Sequence, residues 1–374
     1  MSTQDIKNLS LDKVDKNFAI PSNIEKDDIA WYSVKNAPFD LYGIYNAQAE
    51  EGFRRMPSEV AETVNLGVHN RSYNSAGGRV RFTTDSPYLA LKVEYASLPK
   101  SPTFALSGMC GSDIFIYKDG GFKFFALATP DFTDVKGYER LIELGEDAIG
   151  YRRSPAESME KTEYLINLPS YHTIDNMYIG IKEGSYLGGG SRYRNEKPVV
   201  FYGSSITQGG CAMRPGLAYT DIISRKYNLH YINLGFSGSA HGEVPMMEYI
   251  AGLDMAAFVY DFDYNTDANG LWAKHYRGYK IVRDAHPDIP IVIMGHPNFK
   301  GEKWNYDRMA AVEDTYKRAK AEGDNNVYYI PSPELFGEWG FEYCTADGIH
   351  PNDAGFKQMA DRLSLEIEKI IDKI

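Results

Sequence analysis

What this chain has little of narrows its chemistry first. Only three cysteines occur in 374 residues, Cys110, Cys211 and Cys344. They are scattered and odd in number, so they outline no disulfide framework, and their spacing resembles no metal site. Basic residues are the minority charge: 40 Lys and Arg against 51 Asp and Glu give a formal charge of −11. A nucleic-acid surface needs clustered Lys and Arg, so no nucleic-acid partner is expected. No stretch approaches about 18 consecutive apolar residues, so no membrane partner is expected either. The opening MSTQDIKNLSLDKVDK is polar, with no apolar core leading into small residues. It reads as no secretory signal, and the expected location is cytoplasmic.

Three common glycine motifs are absent too. There is no G-x-G-x-x-G, and no lysine completes G-x-x-x-x-G-K, so neither phosphate-binding fingerprint is present. The nucleophile elbow G-x-S-x-G fails at Gly203-Ser204-Ser205-Ile206, because Thr207 stands where its last glycine belongs.

What remains is ample for a packed core: 43% hydrophobic and 24% charged residues. The length predicts about two domains. Residues from about 30 to 185 read as β. In RVRFTT, Val80 and Phe82 alternate with Arg79, Arg81 and Thr83, and YLALKVEY repeats the pattern with Leu89, Leu91, Val93 and Tyr95. Period-two alternation marks strands buried on one face. Lys118-Asp119-Gly120-Gly121 reads as a hairpin turn. Many short strands in succession predict an all-β sandwich or jelly roll over residues 1–190. The segment Gly184–Pro198, rich in glycine and charge, is the candidate linker.

The rhythm then changes. VVFYG, YINLG, AAFVYDF, IPIVIMG and VYYIP are near-continuous apolar strands separated by helical stretches. The last helix carries Phe356, Met359, Ala360, Leu363 and Ile367 as one apolar stripe. Such alternation predicts a three-layer α/β/α domain with a parallel sheet over residues 196–374, its site on the loops after the strands.

Four of those loops carry chemistry. GSSITQGG offers a serine between strand and helix. NLGFSGS carries Gly238, which allows close backbone approach, and DFDYNTD carries Asn265, a donor without charge. ADGIHPNDAGF sets Asp347 three residues before His350, so that a tight turn can hold the imidazole while Pro351 stiffens it. Taken singly, each is an ordinary turn.

Together the four blocks, in this order, resemble the SGNH (GDSL-like) hydrolases. GSSIT matches the usual Gly-Asp-Ser-Leu/Ile-Thr, with Ser205 as the implied nucleophile and Ser204 in place of aspartate. The resemblance makes Gly238 and Asn265, with the Ser205 amide, the oxyanion hole, and Asp347 and His350 the orienting acid and base. Departures are Asp263 for glycine, Thr266 for aspartate, and Ser239 where aspartate is common. Asp263 is placed to raise the pKa of a neighbouring acid by like-charge repulsion. Upstream, Pro38-Phe39-Asp40-Leu41-Tyr42 resembles the G-x-D-L-Y motif of a β-sandwich found in some members, without its glycine.

The resemblance implies a serine esterase without metal or organic cofactor. The expected substrate is a small-molecule or oligosaccharide ester, with a short acyl group, acetyl first, removed from a carbohydrate or small glycoside. His296, Asn298 and Trp304, on the loop Gly295–Tyr306, are candidate substrate-lining residues. Alternatives are acyl transfer to an alcohol, a thioesterase or lysophospholipase-like activity, or a carbohydrate-binding protein with a decayed hydrolase half.

Overall fold

The computed structural model describes residues 20–49, 52–143, 160–297 and 299–374. In chain order its first strands are β1 (Ile29–Ser33), β2 (Asp40–Tyr42), β3 (Arg79–Thr84), β4 (Tyr88–Glu94) and β5 (Ser112–Lys118). Then come β6 (Gly121–Ala128), β7 (Gly137–Glu143), β8 (Thr162–Asn167), β9 (Asn176–Lys182) and β10 (Leu187–Gly189). They form two antiparallel sheets, β1-β9-β4-β7 and β10-β3-β8-β5-β6, with β2 beside β3. Leu89, Leu91 and Val93 from the first meet Val80, Phe82, Ile114 and Ile166 from the second in one apolar core, as period-two alternation requires. Asp119 and Gly120 both take positive φ, the geometry a two-residue turn needs between β5 and β6.

Alternation places Arg79 and Arg81 on the far face of β3, but neither arginine meets water. Both are almost fully buried against the second half of the chain. Arg79 donates to Tyr231 O at 3.1 Å and Tyr193 Oη at 2.9 Å, and Arg81 donates to Asn228 Oδ1 at 2.9 Å. Their guanidinium planes also lie over the Tyr231 and Tyr193 rings. A buried cation needs such partners to offset its desolvation.

Two helices, α1 (Ser58–Val64) and α2 (Leu66–Ser72), and the short α3 (Leu106–Met109) interrupt this region, correcting the expectation of continuous β from about 30 to 185. Asn65 caps α2 by accepting the Val68 N–H at 2.8 Å. Ala61 and Val68 face the parallel sheet and not the β core, so their burial has no signature within their own region. The expected linker holds β10, which pairs with β3 from Leu187 opposite Thr84 to Gly189 opposite Phe82.

The parallel sheet has the order β12 (Tyr231–Gly235), β11 (Val199–Gly203), β13 (Ala257–Asp261), β14 (Ile291–Met294), β15 (Val327–Ile330). Around it run α4 (Ser205–Gln208), α5 (Tyr219–Tyr227), α6 (Val244–Ala251), α7 (Ala268–Ala285), α8 (Lys303–Ala321), α9 (Gly340–Cys344) and α10 (Asp353–Ile370). Val200 and Tyr202 pack with α6, α7 and α8 on one face. Val199 and Phe201 pack with α5 and α10 on the other. Both faces are covered, hence the unbroken apolar strands. The chain steps from β11 to β12 on one side and returns to β13 on the other. This reversal puts the loops after all three strands at one edge of the sheet, the usual ligand crevice of an open α/β sheet.

Candidate active site

Ser205 is the first residue of α4, directly after β11, and is almost fully buried. Ser204 caps that helix, its Oγ accepting the Ile206 N–H at 3.1 Å. The Ser205 Oγ lies 2.9 Å from His350 Nε2, across 145 residues of sequence. His350 Nδ1 lies 2.8 Å from Asp347 Oδ2. The other oxygen of Asp347 accepts the His350 N–H at 2.8 Å and the Ile349 N–H at 3.0 Å. Ala346 N–H to His350 O closes the turn. Burial works to raise the Asp347 carboxyl, but the His350 amide and imidazole and the Ile349 amide outweigh it and hold it below the usual carboxylate range. With a carboxylate accepting at Nδ1, the Nε2 lone pair faces the serine hydroxyl.

Gly238 lies after β12 and Asn265 after β13, so topology sets both beside the β11 loop. Asn265 donates one amide hydrogen to Phe236 O at 3.1 Å, tying the two loops together. Gly238 has φ +66°, and an added Cβ would meet no atom within 4 Å, so glycine answers a conformational need there and not a lack of space.

The other expected residues fall out differently. His296 is fully buried, with Nδ1 2.7 Å from Asp263 Oδ2 and Nε2 2.9 Å from the Asn305 amide. With both nitrogens engaged it supports the loop from beneath. Trp304 stacks on its ring at a centroid distance of 5.6 Å and is half-buried. Asn298 lies outside the described residues. Asp263, unusual at its block position, is thus the partner of His296. The acid it disturbs is Asp261, which burial first and the Asp263 charge second push well up from its ordinary value. Asp261 accepts from Tyr219 and Thr207 hydroxyls at 2.8 and 2.9 Å, just under the Ser205 loop.

Several neighbours came from positions with no motif to flag them. Tyr171 donates to Ser205 O at 2.9 Å, and the Phe104 and His350 rings pack in a T-shape with centroids 5.0 Å apart. Gln208, inside the quoted serine block, donates to Asn74 Oδ1 and Ser170 O and accepts the Ser237 N–H. Asn74, Phe104, Ser170 and Tyr171 all belong to the β-rich region. Cys211 Sγ lies 4.0 Å from Asp347 Oδ2, so Cys211, Asp347 and His350 cluster as potential metal ligands. Burial and the Asp347 charge push this thiol up to about 12, so it rests as the protonated thiol beside the Asp347 carboxylate. Two cavities, of about 450 and 320 Å³, are lined by none of Ser205, Asp347 and His350.

A family model described as the GDSL-like lipase/acylhydrolase family matches residues 196–368. A second, GxDLY, described as the N-terminus of SGNH-hydrolase-type esterases, matches residues 29–187. The chain belongs to the GDSL-like (SGNH) hydrolases. Among solved structures, it is similar to a protein of Bacteroides ovatus named for its likeness to GDSL lipases. That pair shares 27% identity and a TM-score of 0.79, over 92% of this chain and 98% of the other. The salicylyl-acyltransferase SsfX3 of a tetracycline biosynthetic pathway shares 18% identity and a TM-score of 0.71, over 92% and 98%. A family two carbohydrate esterase from Clostridium thermocellum shares 16% and 0.56, over 80% and 94%. At those last two identities the likeness is one of fold. No curated protein matches the sequence. Among the described residues of this GDSL-like hydrolase, no helix is long and apolar enough to cross a membrane.

Proposed function

We propose that this GDSL-like hydrolase is a serine esterase that removes short acyl groups, acetyl first, from a carbohydrate or small glycoside. The observation that carries the reading is the relay Ser205–His350–Asp347, at 2.9 and 2.8 Å, beside the Gly238 and Asn265 loops. His350 takes the proton of Ser205 as its Oγ attacks the ester carbonyl. The Ser205 and Gly238 N–H groups and the Asn265 amide receive the oxyanion. His350 protonates the leaving alcohol, then activates the water that hydrolyses the acyl-enzyme. Asp347 holds the imidazole and the positive charge it gains. The division of labour follows the proposed division of the chain, residues 1–190 as a β-sandwich domain and 196–374 as the hydrolase domain.

Trp304, with Tyr264 beside it, offers the half-buried aromatic surface against which a sugar ring packs. Similarity in fold to carbohydrate esterases supports the same substrate class. A second reading keeps the acyl-enzyme and changes the acceptor from water to an alcohol. The acyltransferase SsfX3 favours it by its closer fold, 0.71 against 0.56.

The test is intact-mass analysis after a fluorophosphonate, with p-nitrophenyl acetate turnover, on wild type and Ser205→Ala. One adduct and turnover in wild type, and neither in the variant, are expected. No adduct and no turnover in wild type would sink the enzyme reading, and an unchanged variant would sink the serine assignment. Mass spectrometry of acetylated oligosaccharides, with and without an alcohol acceptor, then separates acetyl loss to water from acyl transfer.

A further inference from the structure

The five successive amides from Phe236 to Ala240 are not treated alike. Phe236 N–H bonds Gly203 O, Ser237 N–H bonds Gln208 Oε1, and those of Ser239 and Ala240 both bond Phe236 O. Among the described residues, the Gly238 N–H alone of the five has no acceptor. The carbonyl of the same peptide unit, Ser237 O, is held by Arg71 Nε at 2.7 Å and by Ser239 Oγ at 3.2 Å. Two residues further on, Ser239 O accepts from Asn65 Nδ2 at 3.0 Å. Arg71 and Asn65 come from α2 and its cap, more than 160 residues upstream. Arg71 is itself fixed, its carbonyl accepting from Arg55 Nη2 at 2.7 Å.

In a trans peptide the C=O and N–H point in opposite directions, so whatever holds the oxygen aims the hydrogen. At Gly238 this matters more than elsewhere, because a glycine at positive φ has little steric resistance to rotation of the peptide before it. An ionised donor on the carbonyl also strengthens the N–H of the same unit, since hydrogen bonds in a chain polarise one another. Building on the serine-esterase reading, we propose that Arg71 is a positioning residue for the oxyanion hole: its guanidinium holds the Ser237–Gly238 peptide with the Gly238 N–H turned toward the Ser205 acyl carbon's oxygen.

The test compares full-length wild type, Arg71→Met and Arg71→Lys by p-nitrophenyl acetate kinetics, fluorophosphonate labelling and thermal unfolding. A full oxyanion donor is worth on the order of 100- to 1,000-fold, so a donor left in place but free to turn predicts about 10- to 100-fold less kcat in Arg71→Met. KM is expected within about threefold, since the donor engages the charge that develops only in the transition state. Arg71→Lys keeps a cation without the planar fork and recovers part of the loss, and guanidinium at millimolar concentration restores rate to Arg71→Met but not to Ser205→Ala. A folded Arg71→Met with wild-type kcat, or a loss confined to KM, overturns the proposal. If Arg71→Met does not fold, Arg71→Lys decides: a kcat-specific loss supports the proposal and wild-type kcat overturns it. A wild type that neither turns over nor labels overturns the serine reading and the proposal with it. An active wild type with an inert Ser205→Ala and an unaffected Arg71→Met overturns the proposal alone.

Discussion

The two regions of the chain contribute to one site in different ways. Every group of the proposed catalytic set lies on the parallel sheet's C-terminal edge: Ser205 after β11, Gly238 after β12, Asn265 after β13, and Asp347 with His350 before α10. The β-rich region supplies contacts to the backbone that carries them, from Tyr171 to Ser205 O, from Arg71 to Ser237 O, and from Arg55 to Asn233 O and Gly235 O on the edge strand β12. Loops that leave a sheet lose their ladder partners, and their buried carbonyls must be satisfied from elsewhere. Here Ser205 O, Ser237 O and Ser239 O each receive a donor from the other region. The arrangement of reacting groups is therefore a property of one sheet, and its rigidity a property of the pair.

That contrast can be broken at several points. The largest effect belongs to the reacting groups: Ser205→Ala should lower kcat on the order of 10⁴- to 10⁶-fold with an unchanged unfolding midpoint, read by p-nitrophenyl acetate turnover and differential scanning calorimetry. Asn265→Ala should cost about 100- to 1,000-fold in kcat with little change in KM, as expected for a donor engaged by the developing charge. A loss in KM alone would remove Asn265 from the oxyanion hole. Replacing a contact between regions should do the reverse. Arg79→Met orphans Tyr231 O and a second buried acceptor, Gly77 O, and should destabilise by about 3 kcal/mol in urea titration while the surviving folded protein keeps its kcat.

A smaller effect is one of pH. His230 stacks on Tyr193 between the regions, and burial, with the Arg79 charge behind it, lowers its pKa from 6.5 to about 4. The unfolded chain then binds this proton at higher pH than the folded chain does. Its contribution to stability is complete above about 6.5 and is lost as the pH falls toward about 4. Thermal midpoints should decline across that window, and His230→Phe, which keeps a stacking ring, should flatten the decline. Smallest is Tyr171→Phe, which removes one hydroxyl from Ser205 O and should lower kcat only about three- to tenfold, the cost of a single hydrogen bond.

Much of this was legible in the sequence for a reason. The parallel strands bury both faces, so their apolar runs are unbroken, and the loop residues after them are few enough to stand out. The Asp347–His350 pair lies within one turn, where three-residue spacing alone restricts geometry. The helices between Ser58 and Ser72 were not legible, because the surface they bury lies in the other half of the chain. His296 was expected at the substrate and sits beneath the loop, since the residue that captures it, Asp263, is 33 positions away. Arg79 and Arg81 alternate as a strand predicts, yet alternation says only that a face is polar and not what covers it.

The sequence by itself determined the two architectures, the order of the four loops and the identities of Ser205, Asp347 and His350 as a candidate set. The architectures follow from local periodicity and the Asp347–His350 pair from short spacing, which the backbone enforces without reference to distant residues. The choice of Ser205 rests on the resemblance of the four blocks, taken together, to the SGNH hydrolases. Tertiary structure alone decided which amide at the Gly238 turn is left open and which side chains hold it there. That choice rests on hydrogen bonds between segments more than 160 residues apart, whose partners are fixed only when both regions are folded against each other.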